Sequence, residues 1–81
     1  MPEPAPTERL ARQLIADTCG RPPADLQPEH ELLGDLAIDS PKALRLLMDL
    51  EDQFGIEVAD EDAASLRTVA DVVAFVQEQA S

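Results

Sequence analysis

Aromatic side chains are almost missing from this 81-residue chain, which has no Trp, no Tyr and two Phe. Any core must therefore be built from aliphatic side chains. Bases are scarce as well: six Lys/Arg stand against 17 Asp/Glu, a formal charge of −11. Such a surface repels a phosphate backbone and an anionic lipid sheet. It argues against nucleic-acid and membrane partners, and for proteins that carry basic patches. A single Cys excludes an internal disulfide and points to a reducing, cytoplasmic location. No apolar run approaches the ~20 residues of a membrane span, and none forms a signal-peptide core. The length leaves room for one small domain, which would bury about 60% of the surface its unfolded chain exposes. Self-repulsion of the acidic surface favours a monomer.

High charge with modest hydrophobicity is also the signature of disorder. Here 44% of residues are hydrophobic, so their placement decides. Residues 1–6 alternate prolines with other residues and read as a disordered lead-in to a discrete protein. Thr7 offers an N-cap. Leu10, Ala11, Leu14, Ile15 and Thr18 then recur at helical spacing, with Glu8, Arg9, Arg12 and Asp17 on the wet face. Gly20 and Pro22-Pro23 end that helix near Cys19. The following loop, from Arg21 to Asp39, is long enough to need a function or internal packing. Its Leu26, Leu32, Leu33, Leu36 and Ile38 would lay it across the helices. A second helix starts at Asp39-Ser40-Pro41, with Asp39 as N-cap and Pro41 in the first turn, and Gly55 closes it. Ala43, Leu46, Leu47, Leu50 and Phe54 share an arc about 100° wide. Asp60 to Ala64 makes one or two helical turns. Thr68 and Asp71 form a capping box for a last helix with the stripe Val69, Val72, Val73 and Val76. The expected fold is all-α: three longer helices and one short one, with a long first loop, in one domain over residues 7–79 and a tail at 80–81.

Catalysis finds little support. The only His is His30, read as a solvated loop residue, and Cys19 reads as a structural thiol beside an apolar stripe. A Cys–His dyad would need a shaped pocket that so small a chain hardly affords. Asp60-Glu61-Asp62 lacks the glycine and terminal glutamate of an EF-hand loop, and reads as acids at a helix start. There is no glycine-rich phosphate loop. The chain reads as neither an enzyme nor a metal protein.

The start of the second helix is more telling. Ser40 falls at the edge of the core arc, and Leu44, Met48 and Pro41 continue around the same side. A wide core face with an ordinary first-turn serine accounts for this. So does an attachment site with an apolar docking strip beside it, since a helix N-terminus favours a phosphate.

The segments Leu36-Ala37-Ile38-Asp39-Ser40-Pro41, Leu50-Glu51-Asp52-Gln53-Phe54-Gly55-Ile56 and Thr68-Val69 resemble an acyl carrier protein, over about residues 8–77. The resemblance implies that Ser40 accepts a covalent 4′-phosphopantetheine arm, with Asp39 as the adjacent motif residue. A phosphopantetheinyl transferase would transfer the arm from coenzyme A. Its thiol would hold an acyl group as a thioester, for loading and processing enzymes such as a ketosynthase, an acyltransferase or an adenylating ligase. The second helix would be the recognition helix, with Pro41, Lys42, Leu44, Arg45, Met48, Glu51 and Asp52 at the partner surface.

The departures from the family pattern matter too. Pro41 replaces a leucine or methionine. Ala37 stands where glycine is usual, so the backbone there is expected to avoid a left-handed conformation. Lys42 and Arg45 stand where fatty-acid-synthesis carriers tend to be acidic, which points to a specialised, polyketide-like or similar pathway. Two alternatives stay open: an aminoacyl or peptidyl carrier loaded by an adenylating ligase, and a helical interaction module that never carries an arm.

Overall fold

The computed structural model describes residues 6–80. Four α-helices make up its frame: α1 (Pro6–Cys19), α2 (Ser40–Phe54), α3 (Asp60–Ser65) and α4 (Val69–Ala80). A single 3-10 turn at Pro23–Asp25 interrupts the first loop. Among the described residues there is no strand, and no helix is long and apolar enough to cross a membrane. The all-α expectation therefore holds, with α3 as the short helix. The lead-in lies outside the described residues except for Pro6, which is already the first residue of α1. Proline suits that place because its missing N–H would have no intrahelical partner there.

Each helix is bounded by the chemistry of its ends. Gly20 (φ 72°) and Gly55 (φ 64°) take the left-handed conformation that stops α1 and α2. Asp39 caps α2 through its Oδ1, which accepts the Lys42 N–H at 3.1 Å. At α4 the capping box is complete: Thr68 Oγ1 accepts the Asp71 N–H at 3.1 Å, and Asp71 Oδ2 accepts the Thr68 N–H at 3.2 Å. The same oxygen also accepts the Arg67 N–H.

The core is aliphatic throughout. Ile15 and Ala16 of α1, Leu46 and Leu50 of α2, and Val69, Val72 and Val76 of α4 enclose Leu26, Leu32, Leu36 and Ile38 from the first loop. α1 packs chiefly against α4 and α2. The valines of α4 are weak helix formers, so their burial supplies what propensity does not.

The long loop is built in detail. Arg12, assigned by its spacing to the wet face, instead turns inward. Its Nη2 donates to the carbonyls of Leu26 (2.7 Å) and Pro23 (3.2 Å). Farther along, the Leu32 N–H donates to Arg67 O at 2.9 Å and the Val69 N–H to His30 O at 3.1 Å. These two bonds form an isolated antiparallel bridge between Glu31 and Thr68. His30 is half-buried rather than solvated, and its Nδ1 accepts the Gln27 N–H at 3.0 Å. Leu33 departs from the expected packing and is 68% exposed.

Candidate functional site

The segment leading into α2 is anchored on both sides of one exposed residue. Leu36 and Ile38 are buried, Ala37 between them is exposed, and the Ile38 N–H donates to Leu32 O at 2.9 Å. Ala37 has φ 53°. The expectation that alanine here avoids the left-handed region is thus wrong. Two buried neighbours fix the path of the chain, and their packing outweighs the ~1–2 kcal/mol that a Cβ costs in that conformation. The turn delivers the N-cap Asp39 and the first residue of α2, Ser40, to the surface.

Ser40 is exposed and enters none of the side-chain hydrogen bonds among the described residues. Its hydroxyl is therefore open to reaction. The surrounding N-terminus is less open than a bare helix end. Asp39 takes the Lys42 N–H through its side chain and the Ala43 N–H through its carbonyl, the latter at 2.8 Å. Pro41 has no N–H. That leaves the N–H of Ser40 itself as the uncommitted first-turn donor toward a phosphate on its oxygen. The serine, its own amide and the positive end of α2 are compatible with a phosphodiester at this position. The short reach from serine to amide fits it better than a distant anion.

The apolar strip beside Ser40 is present. Leu44 and Met48, one helical turn apart, are 60% and 59% exposed, whereas Leu46 and Leu50 on the inner face are buried. Lys42, Arg45 and Asp52 are exposed. Lys42 and Arg45 line a cleft with Asp49 and with Asp17 and Thr18 of α1. Met48, Asp49, Glu51 and Asp52 line a second depression farther along α2. Glu51 also works within the fold. Its Oε2 accepts the Val58 N–H at 3.1 Å and ties down the connector behind the helix. Cys19 is half-buried against the core and its Sγ contacts Ala16 O at 3.6 Å. Among the described residues, no group of His, Cys, Asp or Glu could hold a metal ion.

These features define a small α-helical domain that presents an exposed serine at the start of a helix, on a turn anchored by buried neighbours. A family model described as a phosphopantetheine attachment site matches residues 9–76, and the chain belongs to that family. The particular relatives are acyl carrier proteins. The chain is 39% identical over 66 residues to the meromycolate extension acyl carrier protein of Mycobacterium tuberculosis, covering 82% of this chain and 57% of that protein. It is similar at the same identity to the protein of that name from Mycolicibacterium smegmatis, over 67% of its length. For the one from Mycobacterium leprae the identity is 38% and the coverage 57%. The chain thus spans less than three fifths of the length of the relatives from Mycobacterium tuberculosis and Mycobacterium leprae.

Proposed function

We propose that this chain carries acyl groups as thioesters on a 4′-phosphopantetheine arm attached to Ser40. The observation that carries the reading is the exposed, unbonded Ser40 at the first position of α2, within a matched phosphopantetheine-attachment domain. A phosphopantetheinyl transferase supplies the chemistry of attachment. The Ser40 oxygen loses its proton and attacks the coenzyme A phosphorus nearest the pantetheine. The pyrophosphate bond breaks, and adenosine 3′,5′-bisphosphate leaves. Asp39 Oδ1 is engaged as the helix cap, and the base for that proton is assigned to the transferase. After attachment the chain supplies position rather than catalysis. The tether raises the local concentration of the cargo at each acyl-handling enzyme.

The acyl rather than aminoacyl choice draws support from the relatives, which are named as acyl carrier proteins of meromycolate extension. Lys42 and Arg45 beside the serine favour a dedicated set of enzymes over those of general fatty-acid synthesis. The test is intact-protein mass after incubation with coenzyme A and a phosphopantetheinyl transferase. The wild type gains one phosphopantetheinyl group, and Ser40→Ala gains none. A wild type that stays unmodified with several transferases would instead indicate an interaction module without an arm. Preferential charging of the holo-protein by an amino-acid-adenylating ligase would indicate the aminoacyl alternative.

A further inference from the structure

Among the described residues, Ala37 is the one non-glycine residue with a positive φ, at 53°, and it is exposed. Such a conformation favours glycine, which has no Cβ to crowd the backbone. Packing of a side chain can offset that strain, but the methyl of Ala37 lies at the surface. The burial of Leu36 and Ile38 fixes the path of the backbone, and it would do so equally with glycine between them. Stability alone therefore favours glycine here, and the methyl calls for a use outside the fold. Strained residues of this kind cluster where a protein meets other molecules. The place is three residues before Ser40, and three residues span at most about 11 Å even when fully extended. One side of a specific protein–protein interface covers about 800 Å², a patch roughly 30 Å across. Leu36 and Ile38 turn into the core, while Ala37, Asp39 and Ser40 are the exposed residues of the same segment. An enzyme that closes around the Ser40 hydroxyl therefore covers Ala37 as well. The turn beneath the methyl is tied on both sides. The Leu36 N–H donates to Glu31 O at 3.0 Å, the Ile38 N–H to Leu32 O at 2.9 Å, and the Glu31 N–H to Asp35 Oδ2 at 2.7 Å.

We infer that Ala37 is a specificity-determining residue for transfer of the arm to Ser40. Its methyl admits a phosphopantetheinyl transferase with a recess at that point and hinders one whose surface packs against bare backbone. The inference rests on the carrier reading and deepens it, because it states which transferases the Ser40 site accepts. One methyl group is enough, since a single methylene in a close-fitting site discriminates by about 10–200-fold. The selection works by exclusion, through a clash with the wrong enzyme rather than a new attraction to the right one. A replacement that the fold merely tolerates predicts instead that every transferase ignores it.

The experiment compares the full chain with Ala37→Gly and Ala37→Asn, each shown by circular dichroism to be folded. Glycine removes both the methyl and the strain. Asparagine enters the left-handed region more readily than alanine, so it lessens the strain while keeping a side chain. The probes are coenzyme A and two transferases, one whose own carrier has glycine at the matching position and one whose own carrier has a side chain there. The readout is kcat and KM for arm transfer, followed by intact-protein mass. With the first transferase, Ala37→Gly is modified about tenfold more efficiently than the wild type, through a lower KM, and Ala37→Asn no more efficiently than the wild type. With the second, Ala37→Gly gains nothing. Equal kcat/KM for all three chains with the first transferase would overturn the inference. So would a gain shared by the glycine and asparagine variants, which would assign the effect to strain, or the same gain with both transferases, which would assign it to the chain rather than to fit. A wild type that takes the arm from no transferase would overturn the carrier reading itself, and that failure appears in the mass measurement.

Discussion

Ala37 shows how much one backbone conformation governs here. Its φ of 53° lies where a Cβ costs roughly 1–2 kcal/mol, while glycine loses about 0.5–1 kcal/mol in backbone entropy. Ala37→Gly should therefore stabilise the fold by about 0.5 kcal/mol, read as a higher urea midpoint at unchanged m-value. A lower midpoint would mean that the methyl makes contacts worth more than its strain. The sequence alone could not disclose this, because an alanine gives no local signal for a left-handed turn. The signal lay in the pair Leu36 and Ile38: residues two apart, both buried around an exposed one, leave the intervening backbone little freedom. Arg12 was obscured for a related reason. Helical spacing placed it on the wet face, but the guanidinium reaches inward to two loop carbonyls. Those acceptors are 11 and 14 residues away, beyond any local pattern. Arg12→Met keeps the aliphatic stem and removes both bonds, with an expected loss of about 1–2 kcal/mol and faster amide exchange around Leu26.

At the scale of elements, the helices were the legible part. Hydrophobic period, Gly20, Gly55, the Asp39 cap and the Thr68–Asp71 box each appear in the structure where the residue pattern put them, because each is a short-range effect. Thr68→Ala removes one acceptor from the start of α4 and should cost about 1 kcal/mol in chemical denaturation. The loop was legible only in outline. Four of its five large aliphatic residues are buried, while Leu33 is exposed, and spacing gives no rule for irregular backbone. For α2 the two sets of apolar residues separate cleanly. Leu44→Ser and Met48→Ser should change stability by no more than about 0.5 kcal/mol, since both side chains are mostly in water. Their cost should appear in the rate of arm transfer by the transferase and in cross-linking to acyl-handling enzymes. A large loss of stability in either variant would assign these residues to the core instead.

The whole molecule carries a charge of −11, with seven acids and no base between Asp49 and Asp62. Like charges this dense oppose compaction at low ionic strength, and salt screens them over about 10 Å at 0.1 M. The melting temperature should therefore rise between low and moderate salt, with the largest change below about 0.1 M. A melt independent of salt would mean that the acids are already neutralised by their neighbours. The small aliphatic core makes that sensitivity larger, since little apolar area is available to offset the repulsion.

The bridge between Glu31 and Thr68 fastens the approach to Ser40 onto the first residues of α4. Nearly forty positions apart in the chain, these two stretches are neighbours in space, so the serine's footing cannot loosen without also disturbing the last helix. In the proposed carrier, an arm on Ser40 would pivot from a turn that is tied to the start of α4 by this bridge. Every enzyme of the proposed set would then meet the arm at the same pivot.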